Sequence, residues 1–286
     1  MSPRGDLAVV IPARNESDRI GATVRAAARI PGVDIVVVVD DGSSDGTGCE
    51  AASAGATVVR HARNRGKAAA LETGAEAVRV IEAERASAVA ADAGGGDGTA
   101  DLAENAAGGA RSSAGRPRHL LFLDADLAET AERAGPLAEP VVAGRADMSI
   151  AVFSTKVKLG GHGLVVGLSG AGIERATGWR PAEPLNGQRC LTRAAFEAAR
   201  PLASGWGAET GLTIDLLRNG MRIEEVQVPL AHRATGKDFG SQLHRARQLS
   251  GVALAVAVRQ PWRRATRRPD AQVTEAAGSL GAPAAP

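Results

Sequence analysis

Along the chain, short continuous apolar runs alternate with stretches whose apolar residues recur at helical spacing. Residues 7–12 ("LAVVIP") read as a buried strand, and 16–30 ("ESDRIGATVRAAARI") as an amphipathic helix. Residues 34–40 ("DIVVVVD") are apolar at consecutive positions, the pattern of a strand covered on both faces. A short helix over 44–55, closed by Gly55, a third strand over 56–61 and a long helix over 66–84 follow. Further strands are expected at 119–124 ("HLLFLD") and 146–153 ("ADMSIAVF"). This alternation predicts an α/β fold, a mostly parallel central sheet with helices on both faces.

The pattern loosens after Phe153. Residues 158–178 form an apolar, glycine-punctuated helix, 187–193 a strand and 208–220 a helix ending at Gly220. Residues 221–233 alternate as a half-buried strand, and 238–260 form a final helix. This half is expected to complete the sheet and supply the second wall of a cleft. Residues 87–115 are 17 of 29 Ala or Gly, too little apolar bulk to offset ordering, so they read as a disordered insertion. The Arg-, Ala- and Pro-rich residues 261–286 read as a disordered tail, leaving one domain over 1–260.

Composition narrows the partners. The 34 basic residues nearly balance 32 acidic ones, which argues against a nucleic-acid footprint. Cys49 and Cys190 have neither metal-site spacing nor the number for a disulfide framework, so reduced thiols in the cytoplasm are expected. No signal-peptide pattern precedes Leu7, and the apolar run 252–258 is far short of the ~20 residues a spanning helix needs. That run lies within 242–269, which carry seven Arg and no acid, so peripheral contact with the inner face of a membrane stays open. A homodimer stays open too.

In parallel sheets ligands bind beyond the carboxyl ends of the strands, where "PARNE", "DDGSSDG", "NRGK" and "DAD" all fall. Asp124 and Asp126, one residue apart at a strand end, suit Mg²⁺ or Mn²⁺; the plainer reading is that Asp126 caps the next helix. Asp40 and Asp41 could accept from a nucleobase or ribose, with Gly42 turning the backbone close past a ligand; the plainer reading is an Asp-Gly turn. Asn15 and Glu16 sit at a helix entrance. Lys67 follows Gly66 at a helix N-terminus, a natural anion position. It is no Walker A lysine, because position 61 is His and Ala68 stands where Ser or Thr is needed.

Taken together and in this order, "VVIPARNE", "VVVVDDGSSDGT", "RNRGKAAAL" and "LFLDADL" resemble the family 2 glycosyltransferases of the GT-A fold, over roughly 7–240 without the insertion. The resemblance implies a nucleoside-diphosphate sugar as donor and Mg²⁺ or Mn²⁺ as cofactor. It places Pro12, Ala13, Asn15, Glu16, Asp40, Asp41, Gly66 and Lys67 around the nucleotide. Asp124 would face ribose or sugar, and Asp126 would ligate the cation, with His232 ("VPLAHR") completing that site. Arg233 would close over the diphosphate. Glu209 at a helix start would be the general base, the plainer alternative being a favourable contact with the helix dipole. Gly187, Gln188 and Arg189 would enter the cleft on the acceptor side.

An inverting sugar transfer follows as the expected reaction, from a UDP-glucose or GDP-mannose type donor. The later segments look similar to glucosyl-3-phosphoglycerate synthases, favouring a small anionic acceptor such as 3-phosphoglycerate. Polyprenyl-phosphate sugar transferases are the alternative. A nucleotidyltransferase would need a glycine-rich loop after the first strand, and "IPARNE" supplies none. A non-catalytic nucleotide-binding protein would have little use for Asp126, Lys67 and His232 together.

Overall fold

The structure, a computed structural model, describes residues 5–93, 116–153, 163–230 and 250–259. Its strands are β1 (Leu7–Ala13), β2 (Val33–Asp40), β3 (Thr57–Arg60), β4 (His119–Phe122), β5 (Met148–Phe153), β6 (Arg189–Leu191) and β7 (Ile223–Val228). They form one sheet in the order β3-β2-β1-β4-β6-β5-β7. β6 runs against both neighbours and every other pairing is parallel, so the expected α/β class is observed.

The continuous apolar runs are explained by cover on both faces. Ala8 and Val10 of β1 pack on one side with Ala70, Leu71 and Leu212; Leu7, Val9 and Ile11 pack on the other with Ile20, Val24 and Leu137. Those partners come from α3 (Lys67–Ala93) and α7 (Ala208–Arg218) on the first side, and from α1 (Ser17–Ala27) and α4 (Gly135–Val142) on the second. The remaining helices are α2 (Thr47–Ser53), α5 (Gly163–Thr177), α6 (Arg193–Ala198) and α8, residues 250–258.

Two features of the topology position the site. β1 lies between β2 and β4, so the connections run one way to β3 and then reverse. The crevice at that reversal opens beside the carboxyl ends of β1 and β4. β6, being antiparallel, begins where its neighbours end. Phe122 pairs with Arg189, which brings the 184–188 loop alongside Asp124.

The expected insertion needs correcting at its start. α3 runs on to Ala93, so residues 87–93 are helix rather than loop. They bury little, but the stretch "SAVAADA" has no Gly or Pro, and alanine favours helix without tertiary contacts. Residues 94–115 and the expected tail from 261 lie outside the described residues. The base of the insertion is clamped: Arg85 of α3 and Arg118 before β4 both bond Asp34 of β2, at 2.7 and 2.6 Å. Of the final helix, 250–259 are described. Val252 and Ala255 pack inward, Leu254 and Val258 face out, and Arg259 pairs with Asp215 at 2.6 Å.

Candidate active site

The β1–β2–β3 side is built from short loops that bond one another. Asn15 has φ +56, and its carboxamide oxygen accepts from Ser44 N–H at 2.9 Å while its own N–H donates to Ser43 Oγ at 3.0 Å. Glu16 N–H donates to Thr47 Oγ1 at 2.8 Å, and its side chain does not cap α1. Pro12 and Ala13 end β1, pairing with Val39 and Asp40.

Asp40 and Asp41 are buried and turned toward their own loops. Asp40 accepts from Ser43 N–H at 2.8 Å. Asp41 accepts from Arg65 N–H and Gly66 N–H, both at 2.8 Å, and from His61 Nδ1 at 2.7 Å. Burial works to raise the Asp41 carboxyl, but these three donors outweigh it and hold it below the usual carboxylate range. Gly42 serves the same packing. It has φ +73, and a Cβ there would lie 2.7 Å from the Arg63–Asn64 backbone, so the close approach is to the chain itself.

At the tip of β4, Asp124 Oδ1 accepts from Lys67 Nζ at 2.8 Å and Oδ2 from Gln188 Nε2 at 2.6 Å. Asp126 is half-buried. The 3₁₀ turn that follows, Ala128–Ala134, has Leu127 at its N-cap position, one residue after Asp126. Sequence reading missed two residues that hold this loop. Thr23 Oγ1 donates to Ala125 C=O and accepts from Ala128 N–H, each at 2.8 Å, and Arg19 Nη1 donates to Asp126 C=O at 3.1 Å. Thr23 lies among apolar residues of α1, where nothing local marks it.

The acceptor side differs from expectation at Arg189. Its guanidinium is fully buried and donates to the carbonyls of Asn186 (2.8 Å), Pro184 (3.0 Å) and Glu209 (3.1 Å) and to Thr213 Oγ1 (2.9 Å). It pins the 184–188 loop to the first turn of α7 instead of projecting into the cleft. Burial pulls its pKa down to about 10, against the opposing influence of Glu209 and Glu225, which still leaves it a cation near neutrality. Gln188 is likewise engaged with Asp124. Gly187 leaves room for Lys67, since a Cβ there would lie 2.2 Å from Nζ.

Glu209 lies in the first turn of α7 and is nearly buried, with Oε1 at 3.2 Å from Lys67 Nζ. Its place in the first turn of α7 meets the helix-dipole reading, and the contact with Lys67 sets it near Asp124. Gly207, just before it, lies against α8: a Cβ there would sit 2.5 Å from Ala255 Cβ. Lys67, Asp124, Gln188 and Glu209 are thus brought together. His232 and Arg233 lie outside the described residues. Among the described residues no group of three or more His, Cys, Asp or Glu side chains forms a metal cluster, and no helix is long and apolar enough to cross a membrane.

Residues 8–80 match the family model described as Glycosyl transferase family 2. Over that segment the chain is similar to the family 2 glycosyltransferases. The same region is 44% identical over 71 residues to the uncharacterized protein MJ1222 of Methanocaldococcus jannaschii; the match covers 25% of this chain and 29% of that protein's length. Glucosyl-3-phosphoglycerate synthase from Mycobacterium tuberculosis in complex with Mg²⁺ and uridine diphosphate superposes with a TM-score of 0.63 at 21% identity, covering 90% of this chain and 79% of that one. The same synthase in complex with Mn²⁺, UDP-glucose and phosphoglyceric acid gives 0.61 at 22% identity, covering 89% and 80%. The glycosyltransferase likeness in sequence thus ends near Val80, in α3, while the likeness in fold extends across the sheet.

Proposed function

We propose that the protein is an inverting glycosyltransferase. It moves a hexose from a nucleoside-diphosphate sugar to a small anionic acceptor such as 3-phosphoglycerate. The observation that carries this reading is one ammonium group, Lys67 Nζ, held between Asp124 at the tip of β4 and Glu209 at the start of α7. A donor-side carboxylate and a candidate base therefore share one crevice at the reversal of strand order, in a chain whose β1–α3 region matches family 2.

The chemistry follows from these positions. Glu209 takes the proton as an acceptor hydroxyl attacks the anomeric carbon from the face opposite the diphosphate. The new C–O bond forms as the bond to the diphosphate breaks, and the electron pair leaves with the nucleoside diphosphate. Lys67, at the N-terminus of α3, offers positive charge to the leaving group. Asp124, oriented by Gln188, faces the donor's ribose or sugar.

A divalent cation fits the donor set. Mg²⁺ and Mn²⁺ use one or two carboxylates and fill the remaining positions with phosphate oxygens and water, and Asp126, half-buried just past the tip of β4, offers one such carboxylate. Asp126 would hold it, with His232 the expected second ligand. Bound there, it would offset charge on the diphosphate.

A thermal-shift panel of UDP-, GDP- and dTDP-glucose with and without Mn²⁺ tests the reading. One donor is expected to raise Tm selectively and only with the metal. No shift with any nucleotide sugar, together with no turnover, sinks it. A lipid-phosphate acceptor is the second reading, favoured by Leu254 and Val258 exposed on α8. Co-sedimentation with anionic vesicles would support it, and its absence would leave the small acceptor.

A further inference from the structure

Lys67 touches both halves of the site. Its Nζ donates to Asp124 Oδ1 at 2.8 Å and lies 3.2 Å from Glu209 Oε1. Burial acts to neutralise the ammonium, but Asp124 and Glu209 outweigh it and raise its pKa above that of an ordinary lysine. The surroundings of both carboxylates are fixed: Gln188 holds Asp124, and Arg189 holds the first turn of α7 through the Glu209 carbonyl. What can move is the lysine stem, four flexible carbons ending in a point charge. Gly187 keeps open the space its tip occupies, since a methyl there would lie 2.2 Å from Nζ.

We propose that Lys67 couples the two substrates: in the free protein it clamps Glu209, and an incoming diphosphate draws the ammonium away, releasing Glu209 to the acceptor hydroxyl. The inference rests on the glycosyltransferase reading above. A diphosphate carries more negative charge than one carboxylate, so it competes well for the ammonium. When the ammonium leaves, Glu209 loses the cation that held its Oε1. The same movement exposes a carboxylate oxygen to the acceptor. Each substrate then helps the other bind, and by linkage the factor is the same in either order.

Calorimetric titration of the full chain with 3-phosphoglycerate, with and without saturating UDP and Mg²⁺, measures the coupling. The wild-type acceptor Kd is expected to tighten by about tenfold when UDP is present. In Gly187→Ala, which keeps every charge, displaces the flexible tip of Lys67 and crowds Asp124 Oδ1 at 3.1 Å, that factor is expected to fall to within about twofold of unity. Glu209→Gln removes the charge that Lys67 clamps while conserving shape, so it lowers the factor by a second route even if Gly187→Ala misfolds. A wild-type factor of unity with UDP bound, or a wild-type-sized factor in both folded variants, overturns the proposal and leaves the enzyme reading intact. If the wild type binds no nucleoside diphosphate, the enzyme reading falls and the coupling with it.

Discussion

On the β1–β3 side of the crevice, polar side chains bond the backbone of neighbouring loops: Asp40 to Ser43, Asp41 to Arg65 and Gly66, Asn15 to Ser44. On the β6–α7 side, site residues reach one another across long stretches of chain: Lys67 to Asp124 and Glu209, Gln188 to Asp124, Arg189 to Thr213. The first arrangement makes a rigid cradle from local motifs. The second makes a network whose members mean little singly, and whose parts can exchange partners. The family match over 8–80 covers the cradle and, of the network, reaches only Lys67.

The sharpest way to break the comparison is within the network. Glu209→Gln is expected to lower kcat by roughly 10²–10⁴-fold with little change in donor KM, as for loss of a general base, measured by steady-state kinetics. A loss under about tenfold would take that role from Glu209. Arg189→Met leaves the carbonyls of Pro184, Asn186 and Glu209 without their buried donor. It is expected to cost about 3 kcal/mol or more of stability in urea unfolding.

The cradle should respond more mildly and with a pH signature. Asp41→Asn is expected to cost about 2 kcal/mol at pH 7, the scale of hydrogen bonds to a charged group. The folded-state pKa of Asp41 lies below its ordinary 3.8, so its contribution is complete above that value and fades as pH falls through the lowered one. The gap between wild type and Asp41→Asn should therefore narrow from pH 7 to pH 3; a constant gap would show that the charge is not what holds the 65–66 turn. The smallest effect is expected outside both regions. Replacing residues 87–115 by a short Gly/Ser loop should leave kcat/KM within about twofold, because loop length costs little and Asp34 holds both ends together.

The difference between the halves also explains what the sequence discloses. β1, β2 and β4 are legible because strands covered on both faces leave unbroken apolar runs, and the clusters at their ends are contiguous. Arg189 and Gln188 are not, because adjacent residues at a strand start point to opposite faces and nothing local says which face is the cleft. Gln188 meets Asp124 and Arg189 turns into the core, the reverse of what charge alone suggests. Glu209 is legible as a helix-start acid, but its contact with Lys67 spans the sheet and has no sequence signature. The extension of α3 to Ala93 follows from alanine's helix preference, which outweighs the lack of a buried face.

The direction of β6 has a consequence for how such a site can change. Along an extended strand, a slip of one residue turns every side chain over. Inserting a single residue before Arg189 would swing a guanidinium to where Gln188 meets Asp124 and take Gln188 into the apolar interior. The length of the 184–188 loop is thus as constrained as any side chain in it. New specificity should come from substitutions within that loop, and changes in chain length should be tolerated at the opposite end of β4, in its connection from α3.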